Sequence, residues 1–240
     1  MKNILVTGVS RGLGLEITKT LLNDGYNVYG ISRNKSNEIN ELLEINPNRF
    51  FFKSIDLGDS ENIISEIKDF IPNNISLHGF VNNAAMAYDD IITNLNLNSL
   101  KSMYDVNVFS PLMITKFVIR NMLLNKIGGS IIHVSSISVH TGYKGLAMYA
   151  STKGSLEAFS KNTSREWGVK GIRSNCIVSG FMDTDMSSSI NDKLKEKIKN
   201  RTSLKSLTDV KSVSQTIEFL LSDKSSSITG QLINVDSGTI

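Results

Sequence analysis

A tyrosine and a lysine four residues apart, Tyr149 and Lys153, are the residues of this chain whose spacing points most directly to chemistry. Residues at i and i+4 share one face of a helix, so the Lys153 ammonium can lie below the Tyr149 phenol and favour its ionised form. A tyrosine with an ordinary pKa of about 10 would then exchange a proton near neutral pH. Such pairs also occur by chance on solvated helices, so the interpretation depends on the rest of the chain.

A glycine-rich turn follows the first apolar segment. Residues 3–7 are typical of a buried strand, and Gly8-Val9-Ser10-Arg11-Gly12-Leu13-Gly14 leads from it into an amphipathic helix through Leu22. Glycines let the backbone approach a pyrophosphate, and the free N–H groups at a helix start attract its charge. The spacing differs from the usual Gly-x-Gly-x-x-Gly fingerprint, and a sharp strand-to-helix connection is the alternative explanation.

Strands and helices alternate along the rest of the chain. Further strands are predicted near residues 27–31, 50–54, 78–82, 129–135, 172–178 and 231–235, and helices near 60–70, 98–125, 149–168 and 209–221. This alternation predicts one α/β domain over residues 1–240, a Rossmann-type, doubly wound parallel sheet with helices on both faces. Ligands of such sheets bind beyond the carboxyl ends of the strands, where Gly8, Asn83, Ser136 and Gly180 fall.

Taken together, these motifs resemble the short-chain dehydrogenase/reductase family over essentially the whole chain. The matching residues are Thr7-Gly8-x-x-x-Gly12-x-Gly14, Asn82-Asn83-Ala84-Ala85, Asn107, Ser136, Tyr149 and Lys153. Further matches are Asp56-Leu57, Gly180-Phe181-Met182-Asp183-Thr184 and residues 228–238. Within the family, the chain is most similar to the 3-oxoacyl-acyl-carrier-protein reductases.

The resemblance implies an NAD(P)-dependent oxidoreductase with a catalytic set of Asn107, Ser136, Tyr149 and Lys153. Tyr149 would give its proton to the substrate carbonyl oxygen, and Ser136 would hydrogen-bond the same oxygen. Lys153 would hold the nicotinamide ribose, and Asn107 would support a water that returns protons from solvent. The implied cofactor contacts come from Gly8, Ser10, Arg11, Gly12, Leu13, Gly14, Arg33, Asp56, Leu57, Asn83, Tyr149, Lys153, Met182 and Thr184.

The resemblance also implies that different parts of the chain bind the cofactor and the substrate. Residues from about 1 to 130 form a cofactor-binding half, and those from about 131 to 240 a catalytic and substrate half. A variable lid over about 181–206 belongs to the second half. The implied assembly is a homotetramer or homodimer.

The end of the second predicted strand favours NADPH over NADH. An acidic residue there would bind the ribose hydroxyls of NAD, but this chain has Ser32 and Arg33. A guanidinium holds a phosphate through paired, charge-assisted hydrogen bonds, and Arg11 in the glycine turn can reach the same group. The alternative is that both arginines are ordinary solvated residues.

Three positions depart from the family pattern. Ser179 stands where the family usually has proline, which is expected to relax a loop beside the nicotinamide. Ala85 replaces a glycine and adds a methyl group near the cofactor. Met182 replaces a branched aliphatic residue.

The leading hypothesis is reduction of a ketone to a secondary alcohol, with a 3-oxoacyl thioester as substrate. A dehydrogenase, reductase or epimerase acting on a sugar or nucleotide sugar for surface polysaccharides is the first alternative. A cofactor-binding regulatory protein without turnover is the second. Residues 191–201 of the predicted lid hold five cations and two acids, which is typical of a solvated helix face or of attraction to an acidic carrier protein, coenzyme A or a nucleotide-linked sugar. The resemblance implies an acyl carrier protein as partner, because Lys170 lies where carrier-protein reductases commonly have a basic docking residue and Lys126 lies near a second.

Composition and charge limit the partners, the cellular location and the metal sites that can be expected. The net charge is +3 with acids and bases interspersed, which argues against nucleic acid as a partner. The sequence shows neither a leader peptide nor an apolar stretch of the roughly 20 residues that a membrane span needs, so a cytoplasmic enzyme is expected. The single Cys176 is expected in the core. His78, His133 and His140 form no metal-ligand pattern; no metal is expected, and His133 is expected to be packed and satisfied.

Overall fold

The computed structural model describes residues 1–184 and 191–240. Its centre is a sheet of seven parallel strands in the spatial order β3-β2-β1-β4-β5-β6-β7. The strands are β1 Asn3–Thr7, β2 Asn27–Ser32, β3 Phe50–Ser54, β4 Gly79–Asn82, β5 Gly129–Ser136, β6 Ile172–Ser179 and β7 Leu232–Val235.

Nine α-helices are present in the described ranges. They are α1 Gly12–Asn23, α2 Asn37–Ile45, α3 Ile63–Phe70, α4 Leu97–Tyr104, α5 Ser110–Leu124, α6 Ser138–Thr141, α7 Ala147–Trp167, α8 Asp192–Arg201 and α9 Val210–Leu221. No helix in these ranges combines the length and the apolar character needed to cross a membrane.

Helices cover both faces of the sheet. Successive side chains of a strand point to opposite faces, and in these strands the side chains on both faces are largely apolar. In β1, Val6 packs in one core with α1, α2 and α9, while Leu5 packs in the other with α3 and α5. Helix α7 lies against β5 and β6. The predicted doubly wound sheet in a single domain is thus confirmed.

The strand order reverses direction at β1. From β1 the chain winds outward through β2 to β3, then returns to place β4 on the other side of β1. In an open parallel sheet this reversal opens a crevice at the carboxyl ends of the strands, which is where ligands bind. The turns after β1 and β4 therefore meet at that crevice.

The structure differs from the sequence-based prediction in three helices. Helices α2 and α6 were not predicted: α2 buries only Ile39 and Leu42, and α6 has only four residues. The single helix expected over residues 98–125 is α4 and α5, joined by a π-helical turn at Asp105–Phe109. A π turn of this kind inserts an extra residue into the helix and is frequent at functional sites.

Candidate active site

The glycine turn between β1 and α1 is held in a conformation that side chains would obstruct. Gly8 has a φ of +77°, and a Cβ at this position would lie 2.8 Å from the Asn83 amide nitrogen. A Cβ on Gly14 would overlap the carbonyl oxygen of Gly8. The first turn of α1 can therefore approach the preceding loop closely, and the N-terminus of a helix at this place suits an anion.

Asn83 joins this turn to the end of β4. Its side-chain amide donates to the carbonyl oxygen of Thr7 at 3.0 Å, while its backbone N–H and that of Ala84 donate to the Thr7 hydroxyl at 3.2 and 3.1 Å. The two loops that meet at the strand reversal are thereby fixed to each other. This is the local reason that Gly8 and Asn83, 75 residues apart, share one site.

One cleft of about 560 Å³ runs across the carboxyl ends of the strands. All the residues expected to contact a cofactor line it: Gly8, Ser10, Arg11, Gly12, Leu13, Gly14, Arg33, Asp56, Leu57, Asn83, Tyr149, Lys153, Met182 and Thr184. Because Gly8 and Gly14 have no side chains, the backbone at this end of the cleft can lie against the pyrophosphate of a dinucleotide. The cleft also brings the basic end of β2 and the Tyr149–Lys153 pair into one continuous wall.

The sequence-based prediction missed part of the β2 end of this cleft. Lys35, Ser36 and Glu38 line it beside Arg33. The Ser36 hydroxyl donates to the Ser10 carbonyl oxygen at 2.9 Å and accepts from the Ile39 N–H, so it caps α2 and ties that helix to the glycine turn. A serine preceding the Ile39 and Leu42 pair was the signal that could have revealed both α2 and this wall.

Charges of both signs meet at that end. Arg11, Arg33 and Lys35 are exposed there, and so is Glu38. The backbone N–H of Glu38 and the Ser36 hydroxyl lower the pKa of the Glu38 carboxyl. Three cations against one carboxylate leave a local positive excess, which suits an anionic group.

Helix α7 carries Tyr149 and Lys153 on one face, as expected. The Lys153 ammonium is buried, donates to the carbonyl oxygen of Val134 at 2.8 Å and lies 5.7 Å from the centre of the Tyr149 ring. Burial lowers the pKa of Lys153 to about 8. One side chain therefore connects α7, the end of β5 and the phenol.

The pKa of Tyr149 moves opposite to the expected direction. Burial raises it above its ordinary value, and the carboxylate of Asp89 raises it further. Desolvation of the phenolate is the larger of the two causes, and the Lys153 ammonium, 5.7 Å from the ring centre, does not reverse it. Tyr149 is a protonated phenol in this arrangement, which suits a proton donor.

Ser136 ends β5, opposite Ser179 of β6. Its hydroxyl oxygen accepts from the Ser138 N–H at 3.1 Å, and the side chain is half-buried. Ser136 is not among the residues lining the cleft, whereas Ser135 is. The Ser135 hydroxyl, however, donates to Glu157, so of these two serines it is Ser136 whose hydroxyl hydrogen is left for another acceptor.

Asn107 lies in the π turn and braces the loop after β4. Its side-chain oxygen accepts from the Met86 N–H at 2.8 Å, and its amide nitrogen donates to the Met86 carbonyl at 2.8 Å and to the Thr152 hydroxyl at 3.0 Å. The side chain is buried and does not line the cleft. Its expected function in holding a water thus stays a prediction, since its amide is bonded within the protein.

Two other predictions were tested by burial. Cys176 is buried, as expected, and burial raises the pKa of its thiol to about 12. His133 is buried too, but only one of its ring nitrogens has a polar neighbour, Asn82 at 3.3 Å. Its Nε2 has no hydrogen-bond partner in the described structure, so the expectation of a satisfied histidine was wrong.

Comparison with known proteins decides the family. A family model described as enoyl-(acyl carrier protein) reductase matches residues 8–239. The 3-oxoacyl-[acyl-carrier-protein] reductase FabG of Chlamydia trachomatis is 33% identical over 240 residues, which cover 99% of this chain and 96% of the relative. The chain belongs to the short-chain dehydrogenase/reductase family.

Other members of the family share its sequence and shape. FabG of Staphylococcus aureus is 30% identical over 99% of this chain and 97% of the relative. The solved structure of 4-hydroxyisoleucine dehydrogenase complexed with NADH aligns with a TM-score of 0.92 at 25% identity, covering 100% of this chain and 98% of that chain. A short-chain type dehydrogenase/reductase from Mycobacterium ulcerans aligns with a TM-score of 0.91 at 26% identity, covering 99% and 89%.

This short-chain dehydrogenase/reductase compensates for the serine that replaces the usual proline. The Ser179 hydroxyl donates to the carbonyl oxygen of Ser135 at 3.0 Å, and the Ile137 N–H donates to the Ser179 carbonyl at 3.1 Å. The ends of β5 and β6 are thereby held together. The expected relaxation of this loop is offset by a hydrogen bond that proline could not make.

The segment that resembles the family's lid begins after β6. Lys195 of α8 forms an ion pair with Asp183 at 2.7 Å, which holds the helix near the mouth of the cleft. Leu194 and Ile198, four residues apart, lie on one face of α8. Residues 185–190, which belong to the predicted lid, lie outside the described residues.

Proposed function

We propose that this enzyme uses NADPH to reduce a 3-oxoacyl thioester to the 3-hydroxyacyl thioester. The observation that carries the proposal is that one cleft joins a basic anion site at Arg33 to the half-buried Tyr149 and the buried Lys153. The names of the relatives support the substrate class, because the matching reductases are described as acting on 3-oxoacyl groups carried by acyl carrier protein.

The cofactor would lie along the cleft, held by its walls. The glycine turn and the start of α1 would bind the pyrophosphate, and Arg11, Arg33 and Lys35 would bind the 2′-phosphate. Asp56 and Leu57 would border the adenine, and Met182 and Thr184 the nicotinamide end. When bound there, NADPH would supply the hydride that reduces the carbonyl carbon.

The side chains at the other end would manage the carbonyl oxygen. Tyr149, kept protonated by burial, would donate its proton to that oxygen, while the Ser136 hydroxyl donates a hydrogen bond that fixes its position. The Lys153 ammonium, 5.7 Å from the ring centre, would stabilise the phenolate left behind. Asn107 would hold the π turn and the loop after β4 in register around the site.

A substrate carried by an acidic acyl carrier protein would need a basic docking surface on the enzyme. Residues 126–128 and 168–171 are neighbours, because the Gly129 N–H donates to the Gly171 carbonyl at 3.1 Å. Lys126 and Lys170 are exposed in these adjoining loops, together with the apolar side chain of Val169. This surface lies at the amino ends of β5 and β6, whereas the cleft of the same chain lies at their carboxyl ends. We propose that it receives an acidic acyl carrier protein that serves the cleft of another copy in the homo-oligomer, with the basic helix α8 assisting at the mouth of that cleft.

The proposed enzyme is cytoplasmic and homo-oligomeric. Apolar side chains exposed in one copy mark the surfaces proposed for the tetramer: Leu97 and Phe109 beside α4 and α5, and Leu232 on the edge strand β7. We also propose the functional division into a cofactor-binding half over about residues 1–130, a catalytic half over about 131–240 and a lid over about 181–206.

The proposal is tested by following oxidation of NADPH and NADH with a panel of thioesters and keto sugars. The expected result is rapid NADPH-dependent reduction of acetoacetyl thioester. Crotonyl thioester is included because the family model is described as an enoyl reductase. Turnover of crotonyl thioester or of a keto sugar, without turnover of acetoacetyl thioester, would overturn the proposed substrate class. Absence of turnover with every compound would favour a regulatory protein.

A further inference from the structure

A buried carboxylate lies behind the proposed catalytic serine. Glu157 of α7 is 8% exposed. Its Oε1 accepts a hydrogen bond from the Ser135 hydroxyl at 2.5 Å and lies 3.1 Å from Nε2 of His140. Nothing in the proposed proton transfer uses this cluster.

A carboxylate in this position needs a compensating function, because burying a charge costs free energy unless hydrogen bonds satisfy it. Glu157 follows Tyr149 and Lys153 at successive four-residue steps, so the three side chains share one face of α7. That face looks toward β5, where Lys153 bonds to Val134 and Glu157 bonds to the next residue. The helix thus carries both the proton donor and an anchor for the adjoining segment.

The two partners of Glu157 stand on either side of Ser136 in the chain. Ser135 precedes it at the end of β5, and His140 follows it in α6. One carboxylate oxygen therefore fastens both ends of the segment 135–140 to α7. Within that segment the Ser138 N–H donates to the Ser136 hydroxyl oxygen, and the hydroxyl hydrogen can still be donated to another acceptor.

We propose that Glu157 is a positioning residue for the reduction, which sets Ser136 relative to Tyr149 by clamping the segment 135–140 onto α7. This inference rests on the proposed function, since it assigns Ser136 to the carbonyl oxygen. Groups that bind a transition state must be held to within about 0.5 Å of their working position, and such precision comes from the surrounding shell of hydrogen bonds.

The test compares Glu157→Leu, which removes the acceptor, with Glu157→Gln, which keeps an oxygen for Ser135 and His140. Glu166→Leu and Glu166→Gln are matched controls, because Glu166 is an exposed residue of the same helix. We expect Glu157→Leu to lower kcat with acetoacetyl thioester by about 100-fold, with little change in the Kd of NADPH. Glu157→Gln should recover most of the lost rate, and the Glu166 variants should match the unmodified enzyme.

A second readout does not depend on turnover. Amide hydrogen exchange in the segment 135–141 should rise in Glu157→Leu and stay low in Glu157→Gln. If Glu157→Leu does not fold, Ser135→Ala and His140→Ala each remove one arm of the clamp and should raise exchange in the same segment.

The outcomes separate the two proposals. Suppose that amide exchange in the segment 135–141 is faster in Glu157→Leu, but that the unmodified enzyme does not reduce acetoacetyl thioester. The clamp would then be supported and the proposed substrate would be wrong. Unchanged exchange and unchanged kcat in Glu157→Leu would overturn the clamp and leave the proposed function intact. If the melting temperature, the NADPH affinity and kcat all fell together in both Glu157 variants, the carboxylate would be purely structural. That result would also overturn the clamp.

Discussion

The Lys153 ammonium donates to the carbonyl oxygen of Val134 at 2.8 Å, so the side chain that lies below Tyr149 also fastens α7 to the end of β5. The same contact keeps a cation buried close to a phenol. Lys153 therefore contributes both to the proton chemistry of Tyr149 and to the attachment of α7 to β5. The effect of its charge can be measured by varying pH.

Lys153→Met is expected to change how stability depends on pH. Burial lowers the pKa of Lys153 to about 8, below its unfolded value, so between about pH 8 and 10 the unfolded chain binds more protons than the folded one. The free energy of unfolding of the unmodified enzyme should then rise with pH relative to that of Lys153→Met. Denaturant titrations at pH 7, 8, 9 and 10 measure this difference, and a flat difference would mean that Lys153 has an ordinary pKa.

Arg33→Ala is expected to weaken NADPH binding by about 10- to 100-fold, the value of one or two charge-assisted hydrogen bonds to a phosphate. NADH binding should change little, because NADH lacks the 2′-phosphate. Calorimetric titration with both cofactors checks this, with Arg165→Ala as the control since Arg165 is an exposed residue of α7 away from the cleft wall. Equal losses for both cofactors would contradict a phosphate site.

Gly14→Ala is expected to abolish NADPH binding or to prevent folding. The added methyl group would overlap the Gly8 carbonyl oxygen, and neither backbone segment can move without disturbing the glycine turn. Gly168→Ala is the control, because a Cβ there meets nothing within 4 Å. Melting curves with and without NADPH give the answer. A folded Gly14→Ala protein with full NADPH affinity would contradict the geometry of the turn.

Asn107→Ala is expected to reduce stability by about 2 kcal/mol, because it removes the hydrogen bonds that Asn107 makes to the Met86 N–H, the Met86 carbonyl and the Thr152 hydroxyl. The rate should fall too, since the π turn and the loop after β4 border the site. Asn98→Ala, an exposed change in α4, should have no effect. Chemical denaturation and steady-state rates check both statements. Unchanged stability in Asn107→Ala would show that the brace contributes nothing.

The sequence predicts the sheet and the cleft well because their signals are local. Apolar runs mark the strands, and the glycine turn and Tyr149–Lys153 spacing mark the site. The direction of the Tyr149 pKa was not predictable, because it depends on burial and on Asp89, which lies 60 residues earlier. Lys35, Ser36 and Glu157 were missed for a related reason: each acts through a contact that only the folded chain creates.

The π turn shows the same limit on a smaller scale. Pro111 interrupts the helical pattern over residues 98–125 and indicates a kink or a new helix start, but it gives no sign that the turn before it is widened. The widening is held by the bonds of Asn107 to Met86 and Thr152, which come from separate elements. A polar residue in an apolar helix stretch was the visible signal, and it identified the residue without revealing the geometry.

The most direct test of the account is the rate of NADPH oxidation by the unmodified enzyme and by Tyr149→Phe with acetoacetyl thioester, measured beside the Kd of NADPH. Removing the phenolic proton donor should lower kcat by about 100- to 10,000-fold while NADPH binds nearly as before. That result would establish Tyr149 as the proton donor of a ketone reductase. Turnover by Tyr149→Phe close to that of the unmodified enzyme would contradict the account.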